Sequence, residues 1–122
     1  MREDRSDTHL ICNARRPLIA GGKLREELLL YNLSTESTSD VMDKFAELTG
    51  KRISIESETN TLSGGQKVLL MCLLALFSPA RRILFIDLWH SLDEQNRIIV
   101  HKLLAEAGAA KEIICEGSSA ED

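Results

Sequence analysis

Two unbroken apolar segments in the second half of the chain constrain its fold most. Val68 to Phe77 is an apolar run of ten residues, and Ile83-Leu84-Phe85-Ile86 follows a short polar break. A membrane span needs about 20 apolar residues, so the longer run suits a helix buried in a protein core. Pro79 ends that helix, because it cannot continue one and it restricts Ser78 before it. The shorter run shows no alternation and ends at Asp87. It suits a strand buried on both faces, as in a parallel sheet.

The remaining elements are shorter. His9 to Cys12 suits a buried strand, and Asn13 to Lys23, with Pro17 and Gly21-Gly22, suits a loop. Leu24 to Leu33 is apolar at 24, 28, 29, 30 and 33, which suits a helix. A Ser/Thr-rich connector, 32–39, leads to a helix capped by Ser39 or Asp40 that ends before Gly50. Lys51 to Thr61 is polar and is expected to be a loop or edge segment. Ser91-Leu92-Asp93-Glu94 fits a capping box for a helix running to about Ala107, and Glu112 to Cys115 suits a last strand. Residues 1–8 are expected to fray, and the tail from Gly117 to be loose. Strand, helix and strand in this order imply right-handed crossovers and an α/β fold.

Length and composition narrow the class. The chain has 122 residues, enough for one domain with a core, and 43% are hydrophobic. Aromatics make up 4%, so aliphatic side chains must fill that core. The net charge of −4 argues against a nucleic-acid binder that works by charge alone. Met1 to Asp7 is highly charged with no apolar run behind it, so no signal peptide or membrane span is expected, and the location expected is cytoplasmic. Cys12, Cys72 and Cys115 each sit in an apolar stretch and are expected to be reduced core residues. His9, His90 and His101 have no metal-ligand spacing, so no metal site is expected.

Ser63-Gly64-Gly65-Gln66 carries the most chemical information. Ser63 and Gln66 fit a capping box, and the two glycines leave the first helical amides without side-chain cover. Bare amides at the positive end of a helix dipole attract anions, and Lys67 adds charge nearby. Two readings follow: a phosphate site built from the Ser63 hydroxyl and the glycine amides, or simply a well-capped helix after a glycine turn.

The wider context resembles the ATP-binding-cassette (ABC) ATPases. Leu62 to Gln66 spells LSGGQ, the signature motif of that family. Ile83 to Asp87 looks like its Walker B strand, with Asp87 24 positions after Ser63. Ser91, Leu92 and Asp93 look like its D-loop. The match is strongest over 62–97. Upstream, Arg16-Pro17-Leu18-Ile19-Ala20-Gly21-Gly22-Lys23-Leu24-Arg25-Glu26-Glu27-Leu28 resembles the segment after the Q-loop in transporter ABC domains. The resemblance implies an α/β fold that is a partial P-loop NTPase core of short parallel strands. Within one truncated or degenerate domain, 24–66 would be the helical signature subdomain and 67–117 the Walker B half of the core.

The departures bear on activity. The Walker A pattern G-x-x-x-x-G-K-[ST] does not occur; Gly21-Gly22-Lys23 has Pro17 where its first Gly belongs and Leu24 where its Ser or Thr belongs. In the family the P-loop precedes the Q-loop, and this chain begins too late to hold it. Leu88 stands where the family has the Glu that orients the attacking water. No His follows the last strand, where Glu116 and Gly117 stand, and no Gln lies near Asn13 to Arg15. No catalytic residue is therefore assigned.

In the family, the signature of one domain meets ATP held by the Walker A of another. The leading expectation is a domain that contributes Ser63, Gly64, Gly65 and Gln66 in trans and does not hydrolyse ATP alone. ATP and Mg²⁺ would bind only with a partner's Walker A. Asp87 would hold Mg²⁺ in an intact site, or else serve as a polar strand end. Asp93 would touch the partner domain, or else complement a helix dipole. The alternatives are a non-enzymatic scaffold or regulatory pseudo-ATPase, or a fragment of an SMC-like or transporter ATPase. A sheet without its P-loop strand would leave an apolar edge or face open. The chain is therefore expected to form a homo-oligomer or to bind a Walker-A-bearing partner.

Overall fold

The computed structural model describes residues 9–117, so the expectations for 1–8 and for the tail beyond Gly117 lie outside the described residues. Strand β1 (Leu10–Asn13) is followed by helices α1 (Leu24–Tyr31), α2 (Thr35–Thr49) and α3 (Gly64–Phe77). Strand β2 (Arg82–Ile86), helix α4 (Glu94–Ala107) and strand β3 (Glu112–Glu116) complete the order. The three strands form one parallel sheet in the order β1-β2-β3. The fold is therefore α/β with short parallel strands.

Helix α3 organises the core. Every residue from Val68 to Ala75 is buried, so the helix is apolar all round and is enclosed on every side. The sheet supplies Cys12, Ile83 and Phe85, helix α2 supplies Val41 and Phe45, and helix α4 supplies Val100 and Leu103. Burying a side chain of this size contributes about 2 kcal/mol.

Register divides the sheet into two faces. Cys12, Phe85 and Cys115 form one row, with Leu10, Ile83 and Ile113 beside it. Ile83 and Phe85 are fully buried there. On the opposite face Ile11, Leu84 and Ile114 align, and Ile11 is 62% exposed while the other two are half-buried. The expectation that β2 is buried on both faces is thus corrected. Both crossovers advance in the same direction across the sheet, and right-handed connections then put α3 and α4 on the same face.

Other boundaries also move. Helix α2 begins one turn before Ser39 and Asp40, because Ser34 caps it by accepting from the Ser37 amide at 3.0 Å. Gly50 ends it at φ 77°, a left-handed conformation that glycine adopts without strain. In α1, Leu24 and Leu28 are buried but Leu29 is 79% exposed, so the apolar stripe is narrower than the composition suggests. The 51–61 segment is a loop, joined to Lys23 by an isolated bridge at Glu58.

Two polar features are built into this core. Glu27 is fully buried, and its carboxylate accepts from the Ile19 and Ala20 amides, each at 2.9 Å. It ties the 14–23 loop to α1. The three thiols lie close to the sheet, where burial pushes each of them up. Cys12 rises from 9.0 to about 11, against a smaller opposing effect of its contact with the Tyr31 hydroxyl at 3.8 Å.

Glu27→Ala removes the buried carboxylate that holds the Ile19 and Ala20 amides, and is expected to destabilise the fold by about 2 kcal/mol. Glu27→Gln, which keeps one acceptor, should lose roughly half of that; urea midpoints at constant slope measure both. Because the Cys12 thiol titrates near 9.0 unfolded and about 11 folded, its stabilisation is complete below pH 9.0 and is lost as the pH rises toward 11. Cys12→Ala should make that alkaline decline shallower in urea titrations run on either side of pH 9.0.

Candidate functional site

The first turn of α3 has the geometry of a closed capping box. Ser63 Oγ accepts from the Gln66 amide at 3.2 Å, and Gln66 Oε1 accepts from the Ser63 amide at 3.0 Å. The Ser63 hydroxyl proton remains available to donate. The amides of Gly64 and Gly65 have no partner among the described residues. Nothing lies within 4 Å of where a Gly64 Cβ would stand, so that side of the turn is open. A Gly65 Cβ would stand 2.9 Å from Asn96 Nδ2. A side chain at the second glycine would have to displace the Asn96 amide, whereas the first leaves the surface bare.

Asn96 joins this turn to the next expected element. Asp93 caps α4 by accepting from the Asn96 amide at 2.8 Å. The Asn96 side chain then abuts Gly65. The structure therefore brings the 63–66 turn and Asp93 to neighbouring helix starts. Asn96 lacked any motif to single it out in the sequence.

The expected capping box from Ser91 to Glu94 is not formed. Ser91 lies in a single 3-10 turn, Trp89–Ser91, and its hydroxyl donates to the Asp87 carbonyl at 2.9 Å. Asp93 is nearer the helix and its carboxylate takes the capping role. Leu92 is buried in the core.

Asp87 is held in a conformation unusual for its residue type, with φ 57°. Its amide donates to the Glu116 carbonyl at 2.7 Å, extending the β2–β3 ladder past the strand end. Its carboxylate pairs with Arg15, Nε to Oδ2 at 3.0 Å. Arg15 is in turn placed by Asn13, whose side chain accepts the Arg15 amide at 2.9 Å. A Cβ at Gly117 would stand 2.6 Å from Asp87 Oδ1, so Gly117 belongs to the Asp87 seat rather than to a loose tail. None of these contacts reaches the first turn of α3. Leu88 is buried at 1% exposure, and Trp89 stacks on His101 with ring centroids 4.5 Å apart. The sequence offered no sign of the Arg15 and Gly117 roles, since both depend on the register of β1 and β3 beside β2.

No family model matches the sequence, and no curated protein matches it. Among solved structures, the chain is similar to an inward-facing conformation of a protein described as a metal-chelate type ABC transporter. The TM-score is 0.66 at 19% identity, over 91% of this chain and 48% of that one. The chain thus spans about half the length of this structural neighbour. The likeness defines a fold related to that of an ABC transporter. Among the described residues, no helix is long and apolar enough to cross a membrane.

Gly117→Ala is expected to cost about 2 kcal/mol, because the added carbon meets the Asp87 carboxylate and backbone. Asp87→Gly relieves the left-handed strain but gives up an ion pair that is exposed on the Arg15 side, so stability should change by less than about 1 kcal/mol. Chemical denaturation of both variants tests the assignment; a large loss in Asp87→Gly alone would contradict it.

Proposed function

We propose that this chain is an ABC-type ATPase-like domain that contributes its LSGGQ turn in trans to ATP held by a partner's Walker A. The observation that carries the reading is the first turn of α3. Two unpartnered amides and a hydroxyl proton stand at the positive end of a 14-residue helix, and the Gly64 side of that turn is open. That donor set suits the terminal phosphate of a nucleotide. Ser63, Gly64, Gly65 and Gln66 form this surface, and the neighbouring Asp93 and Ser91-Leu92 segment would face the partner domain.

Independent hydrolysis is not part of the proposal. The aliphatic Leu88 has no proton acceptor to orient water. Asp87 already has Arg15 as its counter-ion, so Mg²⁺ would enter with the partner's nucleotide rather than bind to this chain alone. These same features support a second reading, a pseudo-ATPase that keeps the fold for protein contacts without nucleotide. The transporter likeness of the fold makes an ABC partner the first one to try.

Calorimetry of Mg-ATP with the isolated chain should give no heat of binding. An ABC domain with an intact Walker A and a disabled signature should then recruit the chain when ATP is present. Ser63→Arg should abolish that recruitment while leaving far-UV circular dichroism unchanged. Recruitment that ignores both ATP and Ser63→Arg would favour the scaffold reading, and micromolar ATP binding by the chain alone would overturn the trans arrangement.

A further inference from the structure

The outward stripe of α4 carries a symmetric order of charge. Glu94, Ile98 and Lys102 recur at a spacing of four residues and therefore share one helix face. All three are exposed, Ile98 at 66%. Glu94 and Lys102 have no ion-pair partner among the described residues. A large aliphatic side chain thus stands in water between one unpaired acid and one unpaired base.

We infer that this face of α4 is a docking surface for a second copy of the same chain. Two copies of α4 crossing antiparallel about a two-fold axis at Ile98 bring each residue opposite its mirror position. Ile98 then meets the partner's Ile98. Lys102 meets the partner's Glu94, and Glu94 meets the partner's Lys102. One rotation forms two ion pairs and removes both isoleucines from water. A contact of this isologous kind requires a self-complementary patch, which the Glu94, Ile98, Lys102 order supplies.

The neighbouring surface fits the same occupant. A groove of about 340 Å³ runs between α2 and α4, with Ile98 at its lip and Leu48, Ile99 and Leu103 in its lining. Its rim carries both signs, Lys44 and Lys102 with Glu47 and Glu106, and Lys44 pairs with Glu47 at 3.8 Å. An apolar knob therefore stands beside an apolar recess on one face. A strongly acidic or strongly basic peptide would meet repulsion along half of this rim, whereas a second copy presents each charge to its opposite.

This surface adjoins the Asp93 segment of the nucleotide reading but does not include the first turn of α3. Asn96, which abuts Gly65, lies roughly 200° around α4 from Glu94. Association through Ile98 leaves the first turn of α3 free.

Sedimentation equilibrium of the full chain tests the inference. The wild type should associate reversibly, and more weakly as salt is raised. Ile98→Glu should weaken association at least roughly tenfold. Glu94→Lys and Lys102→Glu should each weaken it, because each sets like charges together. The double variant Glu94→Lys with Lys102→Glu should restore it, since the pairs re-form with reversed sign. These positions are exposed, and circular dichroism verifies that each variant folds. A chain that stays monomeric at every concentration would overturn the inference. So would association that Ile98→Glu and the charge exchanges leave unchanged, because the contact would then lie elsewhere, such as on the open sheet face.

Discussion

The structure depends on the enclosure of one helix. Val68 to Ala75 of α3 have no solvent-facing side, so the sheet, α2 and α4 must all close around them. Each neighbour needs a single apolar face, and each has one: Val41 and Phe45 on α2, Val100 and Leu103 on α4, Ile83 and Phe85 on β2. Interiors pack at the density of organic crystals, so a helix enclosed in this way cannot rotate or slide. Its first turn is fixed with it. The position of Ser63, Gly64 and Gly65 at the surface is thus a consequence of the burial that begins at Val68.

The first turn of α3 and the end of β2 are seated differently. The α3 turn satisfies its own cap and leaves two amides open, which costs little at an exposed helix start. Asp87 is instead over-determined, by the Glu116 carbonyl, the Ser91 hydroxyl, Arg15 and the absence of a side chain at Gly117. A left-handed aspartate persists when its surroundings impose it. Three separate segments converge to impose this one, and two of them are parallel neighbours of β2.

Local chemistry decided how much of this could be seen in the sequence. The LSGGQ capping box, the stop at Gly50, the turn at Ser78-Pro79 and the three strands all follow from residues within a few positions of one another. The errors arose where two local solutions competed. Ser34 and Ser39 are both good caps, and the extra first turn is held by the Ser37 amide on Ser34 Oγ and by the Thr38 amide and hydroxyl on the Ser34 carbonyl. Ser91 and Asp93 are both good caps as well, and Ser91 is taken by the Asp87 carbonyl. The continuous apolar run of β2 implied two buried faces, whereas helices cover the sheet on one side and Ile11 lies open on the other. Glu27, Arg15, Asn96 and Gly117 act across distances in sequence that no local pattern encodes. The buried carboxylate of Glu27 in particular looks like an ordinary helix-start charge until the 14–23 loop folds back onto it.

The residues at the end of β2 make a consistent physical arrangement. The Asp87 carboxylate at the end of β2 is 13% exposed and needs a counter-charge, which Arg15 supplies from within the chain. Leu88 after it is driven into the core and anchors the turn to Trp89. Both residues stabilise the folded domain at the end of β2. The donors at Gly64 and Gly65 have no comparable internal replacement and stay open. The strand end thus satisfies its own charges within the chain, whereas the helix-start donors of α3 do not.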